Sequence, residues 1–475
     1  MSLPHQGSAA LPTTVDALVL DRIPAPASDL APSASTALLT DRYELTMLEA
    51  ALADGTAHRH CLFEVFTRRL PAGRRYGVLA GTGRVLEALP SFRFTSYELD
   101  WLSDNGVVGE RTLEYLADYR FTGSITGYAE GEVFFPHSPV MLVEGTFAES
   151  VVLETLVLSV LNYDSAIASA ASRMTSAAVD RPCLEMGARR ANEQAAVAAA
   201  RAAVVAGFAG TSNLEAGRRY GLPTIGTAAH AFTLLHDDEE SAFASQVAAQ
   251  GPGTTLLVDT YDVRQGVENA VRAAGTGLGA VRLDSGDLGV LAVEVRRQLD
   301  ALGARDTRIT VTSDLDEYAI ASLAAAPVDS YGVGTSLVTG SGAPTCGMVY
   351  KLVARSNGSG VLEPVAKASA AKTSAGGRKA AARRYDDDGR AVEELLVTGP
   401  DLAVRDWDPE QEEGDVRPLH VPLVVDGAVD SRWVGSYGVE NAAERHREAR
   451  AELPRGARRL SAGDPAIPTT VRTLA

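Results

Sequence analysis

Between residues 206 and 336 short apolar runs alternate with amphipathic helical segments. The runs are AGFAGTSN (206–213), LPTIGT (222–227), TLLVDTY (255–261), GAVRLDSGD (279–287), RITVTSD (308–314) and VDSYGVGTS (328–336). Helical patterns such as VRQGVENAVRAAG and LGVLAVEVRRQLDALG separate the later ones, at a repeat of roughly 20 to 27 residues. Strand–helix alternation at this spacing predicts βαβ units and a parallel sheet. Every run also ends in small or polar residues: Thr211, Ser212 and Asn213; Gly226 and Thr227; Asp259 and Thr260; Asp284, Ser285 and Asp287; Thr312, Ser313 and Asp314; Gly334, Thr335 and Ser336. Ligands of α/β barrels and doubly wound sheets bind at the carboxyl ends of the strands. Capping of the following helix is the alternative for any one of these residues. It accounts less well for Arg282, a cation inside a strand.

Lysine narrows the chemistry. It occurs only at positions 351, 367, 372 and 379. No Walker lysine and no Schiff-base lysine can lie in the βα region, so anion binding there falls to arginine, backbone N–H groups and helix N-termini. A net charge of −17 opposes nucleic acid and anionic membrane as main partners. The three cysteines, Cys61, Cys183 and Cys346, have no metal-ligand or disulfide spacing, which predicts a reducing cytoplasm. Glu154, Asn162 and Asp164 interrupt the most apolar stretch, Val151–Ala171, which reads as a buried helix rather than a membrane span.

Four parts are expected: an extension over 1–35, an N-terminal α+β domain over 36–150, an α/β barrel over 151–350, and a C-terminal segment over 351–475 packing on the N-terminal domain. Thr40 or Asp41 caps a helix through Tyr43, Leu45 and Leu48. His60–Arg68 reads as an alternating strand, 96–119 as helical, and 121–147 as a small antiparallel β unit. Long helices follow at 150–178 and 187–206. Asp426-Gly427 marks a hairpin, and a terminal helix spans about 438–452. The stretch 367–384 carries six cations and no acid; it is either a solvated loop or a phosphate contact.

LLTDRYELTM (38–47), LEMGARRA (184–191), IGTAAHAF (225–232), VDTYD (258–262), VRLDSGDL (281–288), SDLDE (313–317) and GVGTSLVT (332–339) occur in this order. Over roughly residues 38 to 385 the chain resembles the nicotinate phosphoribosyltransferase family. The resemblance implies an irregular α/β barrel of the type II phosphoribosyltransferase kind, with an N-terminal α+β domain and a C-terminal extension. It implies a cytoplasmic homodimer that joins nicotinate to phosphoribosyl pyrophosphate, with Mg²⁺ as cofactor and ATP hydrolysed through a phosphohistidine. In that reading His230 is the phosphorylated residue. Arg282 clamps the nicotinate carboxylate, Thr227 contacts it, and Tyr43 reaches the pyridine ring from the neighbouring subunit. Gly334 and Thr335 hold the ribose 5-phosphate.

The residues taken alone leave plainer roles open. His230 would be structural, Arg282 would pair with Asp284 or Asp287, and Tyr43 would be a core aromatic of its helix. His236 finds no third ligand that would make a metal pair. Arg189 and Arg190, read as a helix start, cannot share a face, so one of them, Arg189, is expected to meet substrate phosphates. Asp259, Asp284 and Asp287 are candidates for Mg²⁺ contact, Asp284 first, or for helix caps. Two other readings compete: a phosphoribosyltransferase for nicotinamide or quinolinate, and a non-catalytic nicotinate-binding homologue.

Overall fold

The computed structural model describes residues 35–367 and 375–474. The expected extension therefore lies outside the described residues apart from Ser35, as does Lys372. Six short parallel strands form a curled half-barrel in the order Gly210–Thr211, Cys183–Glu185, Ser330–Val333, Arg308–Val311, Ala280–Leu283, Thr255–Leu257. Their apolar residues, among them Val281, Leu283, Ile309, Val311 and Val333, are fully buried against the surrounding helices. The α/β barrel expectation holds, with one difference. The run LPTIGT is not a strand; it contributes a single bridge, Thr224 to Thr211. The half-barrel thus stays open between Gly210–Thr211 and Thr255–Leu257, and the chain from 225 to 254 crosses that gap carrying the helices His230–Leu235 and Glu239–Gln250.

A seven-stranded sheet combines residues from both ends of the chain. Its order is Leu362–Pro364, Met348–Ser356, His60–Thr67, Met141–Thr146, Ser124–Tyr128, His420–Val425, Ala428–Val429. His60–Thr67 is central and pairs antiparallel on both sides. It is buried from Cys61 to Thr67 rather than alternating, because both of its faces are covered. The helical stretch 96–119 divides into Ser96–Asp104 and Glu110–Ala117, with Gly106 at φ +56° in the turn. Glu154–Ala178 is one long helix in the core, buried over most of its second half. The hairpin turns at Asp426 and Gly427, both with positive φ, as a two-residue type I′ turn requires.

From Arg378 to Arg384 the cation-rich stretch is neither a solvated loop nor a phosphate contact, whereas Lys367 is exposed outside any helix or strand. Lys379–Tyr385 is a strand of a four-stranded sheet. Its cations and the preceding Arg378 are committed to carboxylates, some near in sequence and some distant: Arg378 to Glu144 and Asp401, Lys379 to Glu64, Arg383 to Glu132 and Glu394, Arg384 to Glu393. Arg417 and Arg445 also reach Glu132. Burial would raise the Glu132 carboxyl, but these three guanidinium groups outweigh it and hold it at about 2. This cluster joins the N-terminal β unit to the terminal helix Gly435–Glu452.

Candidate active site

The carboxyl ends of the parallel strands open into a cavity of about 560 Å³. Its wall is built from six chain segments: the turn after Glu185, Ser212, residues 225–229, the strand ends at 282–284 and 312–314, and the Gly332–Thr335 turn. Close packing at the floor requires glycine. A Cβ on Gly332 would lie 2.5 Å from Thr312 Cγ2 and 2.7 Å from Met186 Sδ; one on Gly187 would lie 2.3 Å from Val338 Cγ1.

Arg282 occupies the floor with a largely covered side chain. Its Nε donates to Thr312 Oγ1 at 3.2 Å and its Nη1 to Ala228 O at 3.3 Å and to Thr227 Oγ1. Asp284 Oδ1 is 3.4 Å from Nη2, so the salt-bridge reading is met only loosely, and Asp284 also accepts from Thr312 Oγ1. Most of these partners are neutral. The guanidinium is oriented mainly by neutral groups, with Asp284 as an acidic partner at 3.4 Å, and it lines the cavity, where it can meet a planar anion.

His230 opens the helix His230–Leu235 at the margin of the cavity, directly after the lining residue Ala229. Its Nδ1 is 3.1 Å from Thr260 Oγ1, across the open gap of the half-barrel. Its Nε2 is 3.9 Å from Asp259 Oδ1. Asp259 holds its other oxygen under Asp284 N at 2.8 Å and Ser285 Oγ at 2.7 Å, while Oδ1 is buried without a hydrogen-bond partner. His236 is turned away, with Nδ1 on Phe232 O.

Arg189 and Arg190 correct the sequence reading. The helix begins only at Glu193, capped by Asn192, and residues 187–192 form a turn. The helix-face argument does not apply there, and both arginines line the cavity. The turn is keyed to the sheet by Glu185. This fully buried carboxyl accepts from Gly187 N and Thr211 Oγ1, and burial pushes its pKa up. Gly334 and Thr335 line the same cavity, at the start of the four-residue helix Thr335–Val338. Tyr43 does not reach the cavity of its own chain; it is 42% exposed on the helix Arg42–Asp54. It is no buried core aromatic. Asp287 caps the helix Leu288–Ala301 through Val290 N.

Ser212, Ser313 and Asp314, polar strand ends in the sequence, do line the cavity, and Met186, for which the sequence suggested no role, joins them. Ser313 carries a signal that only coordinates reveal: φ is +134°, a strained value for a residue with a side chain, and such strain collects at functional sites.

Known proteins share this sequence and fold. Residues 38–162 match the family model described as nicotinate phosphoribosyltransferase (NAPRTase) N-terminal domain. A nicotinate phosphoribosyltransferase of Mycobacterium tuberculosis is 57% identical over 442 residues, 91% of this chain and 94% of the relative. The chain belongs to the nicotinate phosphoribosyltransferase family. A Bacillus subtilis nicotinate phosphoribosyltransferase is 40% identical over 329 residues, 67% of each chain. The crystal structure of human nicotinic acid phosphoribosyltransferase superposes with a TM-score of 0.77 at 25% identity, covering 90% of this chain and 96% of that one. The half-barrel and the sheets around it are those of that fold.

Proposed function

We propose that this protein forms nicotinate mononucleotide and pyrophosphate from nicotinate and phosphoribosyl pyrophosphate, and couples the transfer to ATP hydrolysis through His230. The observation that carries the reading is Arg282. One strand guanidinium, aimed by Thr227, Thr312 and Ala228, faces a cavity that also holds the Gly334–Thr335 turn and two further arginines. A planar monocarboxylate suits the first, and the phosphates of a sugar suit the others. The nicotinate phosphoribosyltransferases named above act on substrates of this class.

In the reaction, an unprotonated nitrogen of His230 attacks the terminal phosphorus of ATP. An N–P bond forms and ADP leaves. Asp259, 3.9 Å away, stabilises positive charge on the ring as it attacks. The pyridine nitrogen of nicotinate then attacks C1′ of phosphoribosyl pyrophosphate, and the C1′–O bond to pyrophosphate breaks through an oxocarbenium-like transition state. Arg282 and Thr227 fix the ring so that its nitrogen faces C1′. Water finally hydrolyses the N–P bond and returns His230 and inorganic phosphate.

The donor set fits Mg²⁺. Asp284 is a hard carboxylate in the cavity wall and would hold the ion, whereas the free oxygen of Asp259 is committed to His230. No cluster of three side-chain ligands occurs among the described residues, so substrate phosphates would complete the shell. Bound there, the ion would supply charge neutralisation for the departing pyrophosphate. We also place Tyr43 against the pyridine ring of a second subunit, which makes the working unit a homodimer. Three buried free cysteines are in keeping with a cytoplasmic protein.

The test is product analysis with phosphoribosyl pyrophosphate and Mg²⁺, offering nicotinate, nicotinamide or quinolinate, each with and without ATP. Nicotinate mononucleotide made from nicotinate and stimulated by ATP is the expected result. Turnover of only another pyridine would overturn the role given to Arg282. Nicotinate binding without turnover would make the protein a sensor.

A further inference from the structure

Tyr43 and Glu44 are neighbours with opposite fates. Tyr43 is 42% exposed, whereas Glu44 is fully buried. The Glu44 carboxyl accepts from Thr155 N at 2.9 Å and from the hydroxyls of Thr155 and Thr40. The Thr155 hydroxyl in turn accepts from Asp41 N at 3.2 Å. Thr155 lies in the first turn of the helix Glu154–Ala178, where backbone N–H groups lack partners within the helix. Glu44 therefore caps that helix from a distance and binds it to the start of the helix Arg42–Asp54. Among the described residues no cation acts on the Glu44 carboxyl. The titratable groups around it are Asp41 and Tyr43 on its own segment, Glu154 on the long helix, and Tyr119 and Tyr350 from the flanking elements.

We propose that Glu44 is a positioning residue: its buried carboxyl pins the helix carrying Tyr43 to the start of the helix Glu154–Ala178, and so sets where the Tyr43 ring stands for nicotinate bound in the partner subunit. The inference rests on the reading of Tyr43 given above. Burial pushes the Glu44 carboxyl up to about 7, against the hydrogen bonds from Thr155 and Thr40. The protonated carboxyl is the form that the folded protein favours. Its contribution is present at low pH and is lost as pH rises through about 7, when an anion forms beside Glu154 with no cation to balance it. The pin then loosens, and the Tyr43 ring loses its fixed seat.

The test is steady-state kinetics of the full chain with nicotinate, phosphoribosyl pyrophosphate, ATP and Mg²⁺ between pH 6 and 8. Y43A comes first, and a rise of about three- to tenfold in nicotinate KM is expected from the loss of one ring contact. An unchanged KM in Y43A overturns the reading of Tyr43, whatever Glu44 does. With Y43A behaving as expected, E44A raises nicotinate KM towards the Y43A value, while kcat and the KM for phosphoribosyl pyrophosphate stay within about twofold. E44Q mimics the protonated carboxyl; it keeps the low KM seen at pH 6 and abolishes the rise that the unaltered protein shows towards pH 8. The inference is overturned by an E44Q variant that retains that rise. It is equally overturned by an E44A variant with unchanged nicotinate KM, or with kcat and both KM values disturbed alike, the mark of a structural role only. Should E44A fail to fold, the E44Q profile decides.

Discussion

Asp259 Oδ1 lies 3.9 Å from Nε2 of His230, buried and with no hydrogen-bond donor of its own. A buried carboxylate oxygen left without a partner costs stability unless a charge or proton arrives there during function. The pair thus reads as an imidazole nucleophile waiting beside the group that steadies it.

His230→Asn is expected to remove ATP stimulation and leave a slow, uncoupled transfer. Asp259→Asn keeps the shape and removes the charge. It should cut ATP-coupled turnover by about ten- to a thousandfold and leave the uncoupled rate closer to normal. Counting nicotinate mononucleotide formed per ATP hydrolysed checks both; full coupling in H230N would exclude a phosphohistidine at this position.

Arg282→Lys retains the charge but not the planar fork. Loss of a charge-assisted hydrogen bond of about 1.5–3 kcal/mol predicts a nicotinate KM raised about ten- to a hundredfold. The KM for phosphoribosyl pyrophosphate should change much less. Titration of nicotinate at saturating co-substrate reads this directly, and an equal rise in both constants would place Arg282 on the phosphates instead.

Because residues 187–192 form a turn, Arg189 and Arg190 both face the cavity. Arg189→Ala and Arg190→Ala should each raise the KM for phosphoribosyl pyrophosphate. A silent R190A variant would restore the sequence-based reading in which only Arg189 meets substrate.

Acid should unfold the protein in two stages. Burial, with help from Arg450, holds His446 low at about 3. Its contribution to stability is complete above the unfolded value of about 6.5 and is lost as pH falls below it. Glu132, held at about 2, contributes above its unfolded value of about 4.5 and loses that contribution as pH falls further. Thermal unfolding at stepped pH should show Tm falling first below about pH 6.5 and more steeply below about 4.5. Arg383→Met, which leaves Glu132 and Glu394 short of a partner, should cost about 3–5 kcal/mol at neutral pH. Denaturant titration measures that loss.

Much of this was legible in the chain. The βα rhythm, the polar strand ends, the helix at Tyr43 and the Asp426-Gly427 hairpin all depend on neighbours within a few residues, which periodicity and turn chemistry report. The expected side-chain cap of that helix does not form: Asp41 makes no capping bond, and the Thr40 hydroxyl donates to the Glu44 carboxyl instead. LPTIGT misled because its apolar residues look like a strand, yet only Thr224 finds a partner. The arginines at 189 and 190 misled because the helix starts three residues after Arg190, at Glu193, and boundaries are the weakest part of any sequence reading. Ser313 stood among the polar strand ends, but its strain could not be foreseen, since a backbone angle of +134° leaves no mark on residue type.

The sequence by itself determined the order of strands and helices, the family, and the chemical character of a site built from arginine, histidine, aspartate and glycine without lysine. Only the tertiary structure decided which charges are available to a ligand. Arg383 and Arg282 look alike in the sequence. Arg383 is consumed by Glu132, 251 residues away, and by Glu394, whereas Arg282 meets hydroxyls, a carbonyl and one loosely placed carboxylate. Whether a cation is shared between two buried carboxylates or lines a cavity beside one at 3.4 Å depends on what the fold brings to it, and chain separation carries no information about that distance.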